Sequence, residues 1–271
     1  MIGTVGTAAI VFIVFYFDDT LRYTESLEND VEMPVIGRIY ADSSSIDLIV
    51  DARPKSSTSE SIRTLRTNLQ FASIDNEIKT ILVTSTLPNE GKSYVTANLA
   101  TSFAQAGKKV LILDYDLRKG RQHKIFKVSS KNGLSNLLIN DIKNFADYIE
   151  ITKIENLFII PRGVLPPNPS ELISSKKNAA LLELLKKHFD VIILDGVPCN
   201  GLADSLILSS YVDKVLIVAS INRTPKTELK NAKKALENVG ANIAGLVANN
   251  INVKKAKYGG YYNYYYGYND K

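Results

Sequence analysis

The chain has 271 residues, 45% hydrophobic and 23% charged, which suits one large folded domain with appendages and excludes a disordered polyampholyte. A formal net charge of +5 is compatible with phosphorylated ligands or an anionic membrane face, but is too small to argue for nucleic acid. The single cysteine, Cys199, excludes an internal disulfide and points to a reducing compartment; with only two histidines beside it, the usual zinc sites are excluded too.

Residues 2–17 form an uncharged, mostly apolar run that ends at Asp18-Asp19. A helix of that length spans roughly 24 Å, short of the ~30 Å hydrocarbon core of a bilayer. A signal peptide would need a basic start and a small-residue cleavage site, and neither is present. Residues 1–17 are therefore expected to be a truncated transmembrane segment, with a buried core helix or strand as the alternative. Residues 18–40 are polar and acidic and end in Met33-Pro34-Val35-Ile36-Gly37-Arg38-Ile39-Tyr40, which reads as a tether followed by a short extended stretch. Residues 41–58 read as a linker, most clearly from Asp51 to Thr58. A helix is expected to start near Ser57, with Glu60 completing a capping box. Ile62, Leu65, Leu69 and Ala72 then form its buried face.

From here to about residue 250, short apolar runs alternate with amphipathic stretches. The expected strands are Thr80–Ser85, Val110–Asp114, Leu157–Ile160, Val191–Asp195, Val215–Ala219 and Ile243–Ala248. They are rich in Val, Ile and Leu without alternation, as strands covered on both faces must be. Helices are expected near 92–106, 133–148, 178–188, 202–210 and 226–238. This alternation predicts an α/β fold with a mostly parallel sheet flanked by helices, in which ligands bind at the carboxyl ends of the strands. Residues 251–271 lose the pattern. They carry three lysines and then Tyr258, Tyr261, Tyr262, Tyr264, Tyr265, Tyr266 and Tyr268, and are expected to be a flexible tail.

The first expected strand runs into Thr86-Leu87-Pro88-Asn89-Glu90-Gly91-Lys92-Ser93 and then a helix. A phosphate-binding P-loop needs a turn whose amides face phosphate oxygens, a lysine for the β/γ-phosphates and a hydroxyl for magnesium. Gly91, Lys92 and Ser93 supply these, and the helix adds its positive dipole end. The strict pattern has glycine where Thr86 stands. Acidic residues close two further strands, Asp114 and Asp116 after the second and Asp195 after the fourth. A lone aspartate at a strand end is usually a helix cap or turn residue. Three beside a P-loop suit magnesium held directly or through its waters.

These motifs resemble the P-loop ATPases with a second aspartate-bearing motif, the group that holds the partition and septum-site ATPases. Within it the chain is most similar to the bacterial tyrosine kinases of capsule and exopolysaccharide synthesis. Leu87 stands where partition ATPases carry a signature lysine. Glu60, Arg63 and Arg66 match that kinase family's Glu-x-x-Arg-x-x-Arg motif, and the tyrosine cluster matches its autophosphorylation sites. The stretch Pro166-Pro167-Asn168-Pro169-Ser170-Glu171-Leu172 is similar to a further family segment. The likeness covers roughly residues 55–271. Residues 1–40 resemble instead the end of the membrane-bound polysaccharide copolymerase that activates such kinases. Asn89 departs from the family's usual glycine, and Asp195-Gly196-Val197-Pro198 from its usual Asp-Thr-Pro-Pro.

The resemblance implies an ATP- and Mg2+-dependent protein tyrosine kinase. Asn89, Glu90, Gly91, Lys92, Ser93 and Tyr94 would bind nucleotide; Asn249, or its neighbour Asn250, would meet adenine. Ser93, Asp116, Asp195 and Asp114 would serve the metal. Lys92 and Asp116 would assist catalysis with Asp114 as base, although spacing alone does not rank Asp114 above Asp116. Glu60, Arg63 and Arg66 would join subunits into a ring, an octamer in the family, while without the likeness they would read as solvated charges. The seven tyrosines would be phosphorylated between subunits. The implied partners are the membrane-bound activator, tyrosine-bearing substrates and a counteracting phosphatase, with no nucleic acid, at the cytoplasmic side of the cell membrane. The basic run Arg118–Lys124 reads as a solvated loop or a contact for phosphates or an acidic tail; His188 reads as a helix-terminus residue and Cys199 as a packed thiol. A partition-type ATPase switch, an ATP-gated scaffold and a tyrosine-rich platform for single-stranded nucleic acid are the other readings.

Overall fold

The computed structural model describes residues 18–24, 27–42, 44–72 and 77–252. The apolar run expected to be a truncated transmembrane segment, and the tail tyrosines from Tyr258 on, lie outside the described residues. No helix among the described residues is long and apolar enough to cross a membrane.

The strands are β1 (Val35–Tyr40), β2 (Thr80–Ser85), β3 (Val110–Asp114), β4 (Glu150–Ile151), β5 (Leu157–Ile160), β6 (Val191–Pro198), β7 (Lys214–Ser220) and β8 (Ile243–Ile251). They form a single sheet in the order β1-β8-β7-β2-β6-β3-β5-β4. Only the β4–β5 pair is antiparallel. The six predicted strands are all present, and β6, β7 and β8 run further than expected. The helices are α1 (Leu27–Val31), α2 (Ile49–Ala52), α3 (Ser57–Phe71), α4 (Lys92–Gln105), α5 (Gln122–Phe126), α6 (Leu134–Ile139), α7 (Pro169–Ile173), α8 (Lys176–Leu185), α9 (Asp204–Ser209) and α10 (Lys226–Asn238).

Two apolar clusters lie on opposite faces of the sheet, with alternate strand residues in each. Ile81, Val83, Ile112 and Ile193 meet α3 and α4. Leu82, Leu111, Leu113 and Leu194 meet the layer of α6, α8, α9 and α10. Burial on both faces is why these strands show continuous apolar runs. In register, Asp114 pairs with Asp195 and Ser85 with Pro198. The carboxyl ends of β2, β3 and β6 therefore lie flush, at the start of α4.

Several expectations need correction. Residues 18–40 are not a tether. Thr20 bridges to Pro225, α1 buries Leu27 and Val31, and the expected extended stretch becomes edge strand β1, paired in parallel with β8. The extended stretch was expected; its pairing with β8 was not. Residues 41–58 are not a linker either: α2 lies within them, and Ile49 and Val50 are fully buried. Helix α3 starts at Ser57 as expected, but its cap is Ser56, whose hydroxyl accepts from Ser59 N, while Glu60 ion-pairs with Arg63. Ala72 is exposed at the helix end rather than on the buried face. The helix expected over 133–148 breaks at Asn140, which is extended, and continues as a 3-10 helix, Ile142–Tyr148. Helices α1, α2, α5 and α7, at four or five residues, are too short to show a period.

Candidate active site

The loop between β2 and α4 takes two left-handed residues. Asn89 has φ +63° and Gly91 has φ +96°. Asparagine tolerates this region better than most residues, so Asn89 suits a position where the resemblance leads one to expect glycine. Gly91 has a second constraint, because a Cβ there would lie 2.1 Å from Asn249 Nδ2. Gly91 also caps α4, so the free amides of the first helical turn face the mouth of the loop. Thr86, standing where the strict pattern has glycine, is buried.

Lys92 reaches from α4 into the acids. Its Nζ donates to Asp116 Oδ2 at 3.1 Å, Asp195 Oδ1 at 3.3 Å and Ser93 Oγ at 3.3 Å. Burial alone would lower the pKa of this ammonium, but Asp195, Asp116 and Asp114 outweigh it and hold the pKa above the ordinary lysine value. Asp114 is fully buried, and Gln122 N donates to its Oδ2 at 3.1 Å. Its Oδ1 has no partner. Burial first, then the neighbouring Asp195, push its carboxyl well above the usual range. Gly120 covers it: a Cβ there would approach its carboxylate to 2.5 Å. Gln122 ties the site together, since its Nε2 donates to Asp195 Oδ2 at 2.8 Å and to Ser93 O at 3.1 Å.

A cavity of about 400 Å³ opens over this cluster. Asn89, Gly91, Lys92, Ser93, Tyr94 and Asp116 line it. Glu90, Asp114, Asp195, Asn249 and Asn250 do not. The carboxylate of Glu90 turns inward instead and accepts from Leu87 N at 2.8 Å. Asn249 is buried and donates from Nδ2 to Glu90 O at 2.9 Å, while Asn250 donates to Ser220 Oγ at 3.1 Å. In this arrangement Asn249 braces the loop from below. Among the described residues no three His, Cys, Asp or Glu side chains gather as a metal cage. That donor set fits magnesium, which uses one or two carboxylates, keeps several waters and takes its other ligands from phosphates. Asp116 and Asp195 already face a cation, the Lys92 ammonium, with the Ser93 hydroxyl beside it.

The basic run is partly committed within the fold. Arg118 forms an ion pair with buried Asp204, which also accepts from Ser170 Oγ at 2.5 Å. Ser170 belongs to the Pro166–Leu172 segment. Lys119 and Arg121 line the cavity beside Arg118. Glu60, Arg63 and Arg66 lie on α3, away from the site. Arg63 donates to Pro54 O at 2.6 Å and Arg66 to Ser102 O at 2.6 Å, so neither arginine is merely solvated. His188 follows α8, its ring 5.1 Å from that of Phe145. Cys199 is buried, and burial pushes its thiol up to about 11. Asp47, Gln122 and Asn98 were not foreseen. Asp47 lines the cavity from the supposed linker, and Asn98 holds that stretch by donating to Asp47 O at 2.7 Å and accepting from Val50 N at 3.1 Å. Nothing in the local sequence marks Asp47 or Asn98, and Gln122 is marked only as part of the basic run Arg118–Lys124.

The family described as an AAA domain matches residues 78–244. A Staphylococcus aureus protein bearing the name tyrosine-protein kinase CapB is 41% identical over 220 residues, 81% of this chain and 95% of the relative. The crystal structure of the chimerical protein CapA2B2 is similar with a TM-score of 0.79 and 38% identity, covering 85% of this chain and all of that one. The septum site-determining protein MinD of Pyrococcus horikoshii, at 23% identity and a TM-score of 0.54, shares the fold.

Proposed function

This chain belongs to the bacterial P-loop tyrosine kinases, and from that membership we propose how its residues move the γ-phosphoryl group of ATP to a tyrosine hydroxyl. The tyrosine oxygen forms a bond to the γ-phosphorus, the bond to the β-phosphate bridging oxygen breaks, and ADP leaves. Loop amides and Lys92 hold the phosphates, which places charge neutralisation where the transferring group spreads its charge. Ser93, Asp116 and Asp195 would hold Mg2+, which when bound would supply charge neutralisation for the phosphates. The tyrosine proton goes to Asp114, whose Oδ1 has no partner within the fold, since a hydroxyl of reference pKa near 10 needs a base at neutral pH. Because Gly120 covers Asp114, the acceptor reaches it by displacing the turn of residues 118–121. The single observation that carries this reading is Lys92 seated between Asp116 and Asp195 at the mouth of a glycine-capped helix.

The acceptors are Tyr258, Tyr261, Tyr262, Tyr264, Tyr265, Tyr266 and Tyr268, reached from a neighbouring subunit. Glu60, Arg63 and Arg66 join those subunits into a ring, an octamer by resemblance. Residues 18–40, by their likeness to the end of a polysaccharide copolymerase, act as a built-in activator segment. The kinase then works at the cytoplasmic side of the membrane, regulates capsule or exopolysaccharide synthesis, and is reversed by a phosphatase. Leu87 and the tyrosine cluster favour this over a partition-type switch.

Intact mass after incubation with Mg-ATP tests the proposal. Steps of about 80 daltons, one phosphoryl group each, are expected in the unaltered chain and absent in Lys92→Met and in a chain ending at Ile251. Asp114→Asn is expected to slow the steps by about 10²–10⁴-fold. ATP hydrolysis without mass gain would point to the switch, and neither activity to the scaffold.

A further inference from the structure

The P-loop is held from behind by the turn that follows β7. Thr224, fully buried, is its pivot. The Thr224 hydroxyl accepts from Ser220 N at 2.9 Å, which leaves its own proton to donate to Glu90 Oε1, the bond present in the structure. The other oxygen of that carboxylate accepts from Leu87 N at 2.8 Å. Arg223 Nη1 donates to Asn89 O at 3.1 Å. One short turn therefore fixes both the carboxylate that closes the P-loop and a carbonyl within it.

The outer side of the same turn carries the segment that precedes α1. Leu21 N donates to Thr224 O at 2.7 Å, Asn222 N to Leu21 O at 2.7 Å, and Lys226 N to Asp19 O at 2.8 Å. Asp19 Oδ2 accepts from Thr227 Oγ1 at 2.6 Å and from Thr227 N at 3.0 Å. Leu21 is fully buried. Downstream, Asp30 and Glu32 pair with Lys226 and Lys230 of α10 at 2.8 and 3.1 Å. Yet none of the described residues 18–40 lines the nucleotide cavity. The turn is the path by which residues Asp19–Leu21 reach the P-loop.

We propose that Thr224 and Glu90 are a positioning pair through which the docked segment at Asp19–Leu21 sets the affinity of the P-loop for nucleotide; this rests on the nucleotide-site reading above. With the segment docked, the turn is held on both sides, Thr224 presents its proton to Glu90, and Glu90 holds Leu87 N so that the loop amides stay converged. Releasing the segment frees the turn, and the loop spends less time in the converged shape. Apparent affinity falls by the fraction of competent loop lost.

Titrating a fluorescent ATP analogue into the full chain, with Mg2+, tests this. Thr224→Val keeps the shape of the side chain but removes the hydroxyl, and with it both the donor to Glu90 and the acceptor for Ser220 N. It is expected to weaken binding by about tenfold, with the KM for ATP in autophosphorylation rising equally and kcat changing less than about threefold. Thr224→Ser, which restores the hydroxyl, is expected to bind within about twofold of the unaltered chain. Asp19→Ala, at an exposed position, is expected to weaken binding by about threefold, and to add almost nothing in the Thr224→Val background, because both act through one path. Equal effects of Asp19→Ala in the two backgrounds, or an unchanged affinity in Thr224→Val, would overturn the proposal. A loss confined to kcat would overturn it as well. Failure of the unaltered chain to bind the analogue at all would sink the nucleotide-site reading itself, which is a distinguishable result.

Discussion

At the scale of single residues, Asn89 and Gly91 depart from the right-handed backbone for different reasons. Asn89 needs only a side chain that tolerates φ +63°, and glycine would serve there equally well. Gly91 needs both φ +96° and the absence of a Cβ, since Asn249 occupies that space. Gly91→Ala is therefore expected to weaken nucleotide binding by at least about tenfold and to destabilise the fold by about 1–3 kcal/mol. Asn89→Gly is expected to change affinity less than about twofold. Calorimetric titration beside thermal melting checks both. An Ala variant with unaltered affinity would show that the loop does not need this contact. Gly91 was legible from the motif alone; the competing Asn249 side chain was not, because it comes from the far end of the chain.

At the scale of elements, the supposed linker is the instructive case. Helix α2 is four residues long, too short to be stable alone. It is held by Asn98 of α4, fully buried, which accepts from Val50 N and donates to Asp47 O and, at 2.9 Å, to Tyr94 O. Asn98→Ala leaves Val50 N buried without an acceptor, at an expected cost of about 2–3 kcal/mol. Urea denaturation should show a lower midpoint with an unchanged slope. Since Asp47 lines the cavity, a weaker nucleotide affinity should accompany it. A midpoint equal to that of the unaltered chain would mean that α2 is held by its apolar contacts alone. Strand β1 makes a related point: its extended backbone was expected, but its partner in the sheet is β8, with Val35 opposite Leu246, and no local pattern announces that pairing.

At the scale of the whole molecule, charge is the variable that phosphorylation would change. Seven phosphotyrosines add about −10 to −14 charges per subunit, against a formal +5 for the chain. Under the ring proposal, repulsion between subunits then exceeds the attraction available at the α3 faces. Size-exclusion chromatography with light scattering should find the ring in the dephosphorylated chain and smaller species after full phosphorylation. The shift should shrink as salt screens the charges. A fully phosphorylated chain that keeps the mass of the ring would refute loosening by repulsion.

The P-loop, the six central strands and the acids at their ends were determined by the sequence itself. Each is announced by residues adjacent in the chain: a continuous run of Val, Ile and Leu, a Gly-Lys-Ser before a helix, an aspartate where the run stops. Tertiary structure decided what the sequence left open. It made the described residues between 18 and 58 part of the domain, turned Glu90 inward, set Asn249 beneath the loop and joined Arg118 to Asp204. Those outcomes rest on hydrogen bonds and burial between residues far apart in the chain, such as Thr224 with Glu90 or Asn249 with Gly91. Contacts of that kind have no period and no fixed spacing, so they emerge only once the sheet has brought its strand ends together.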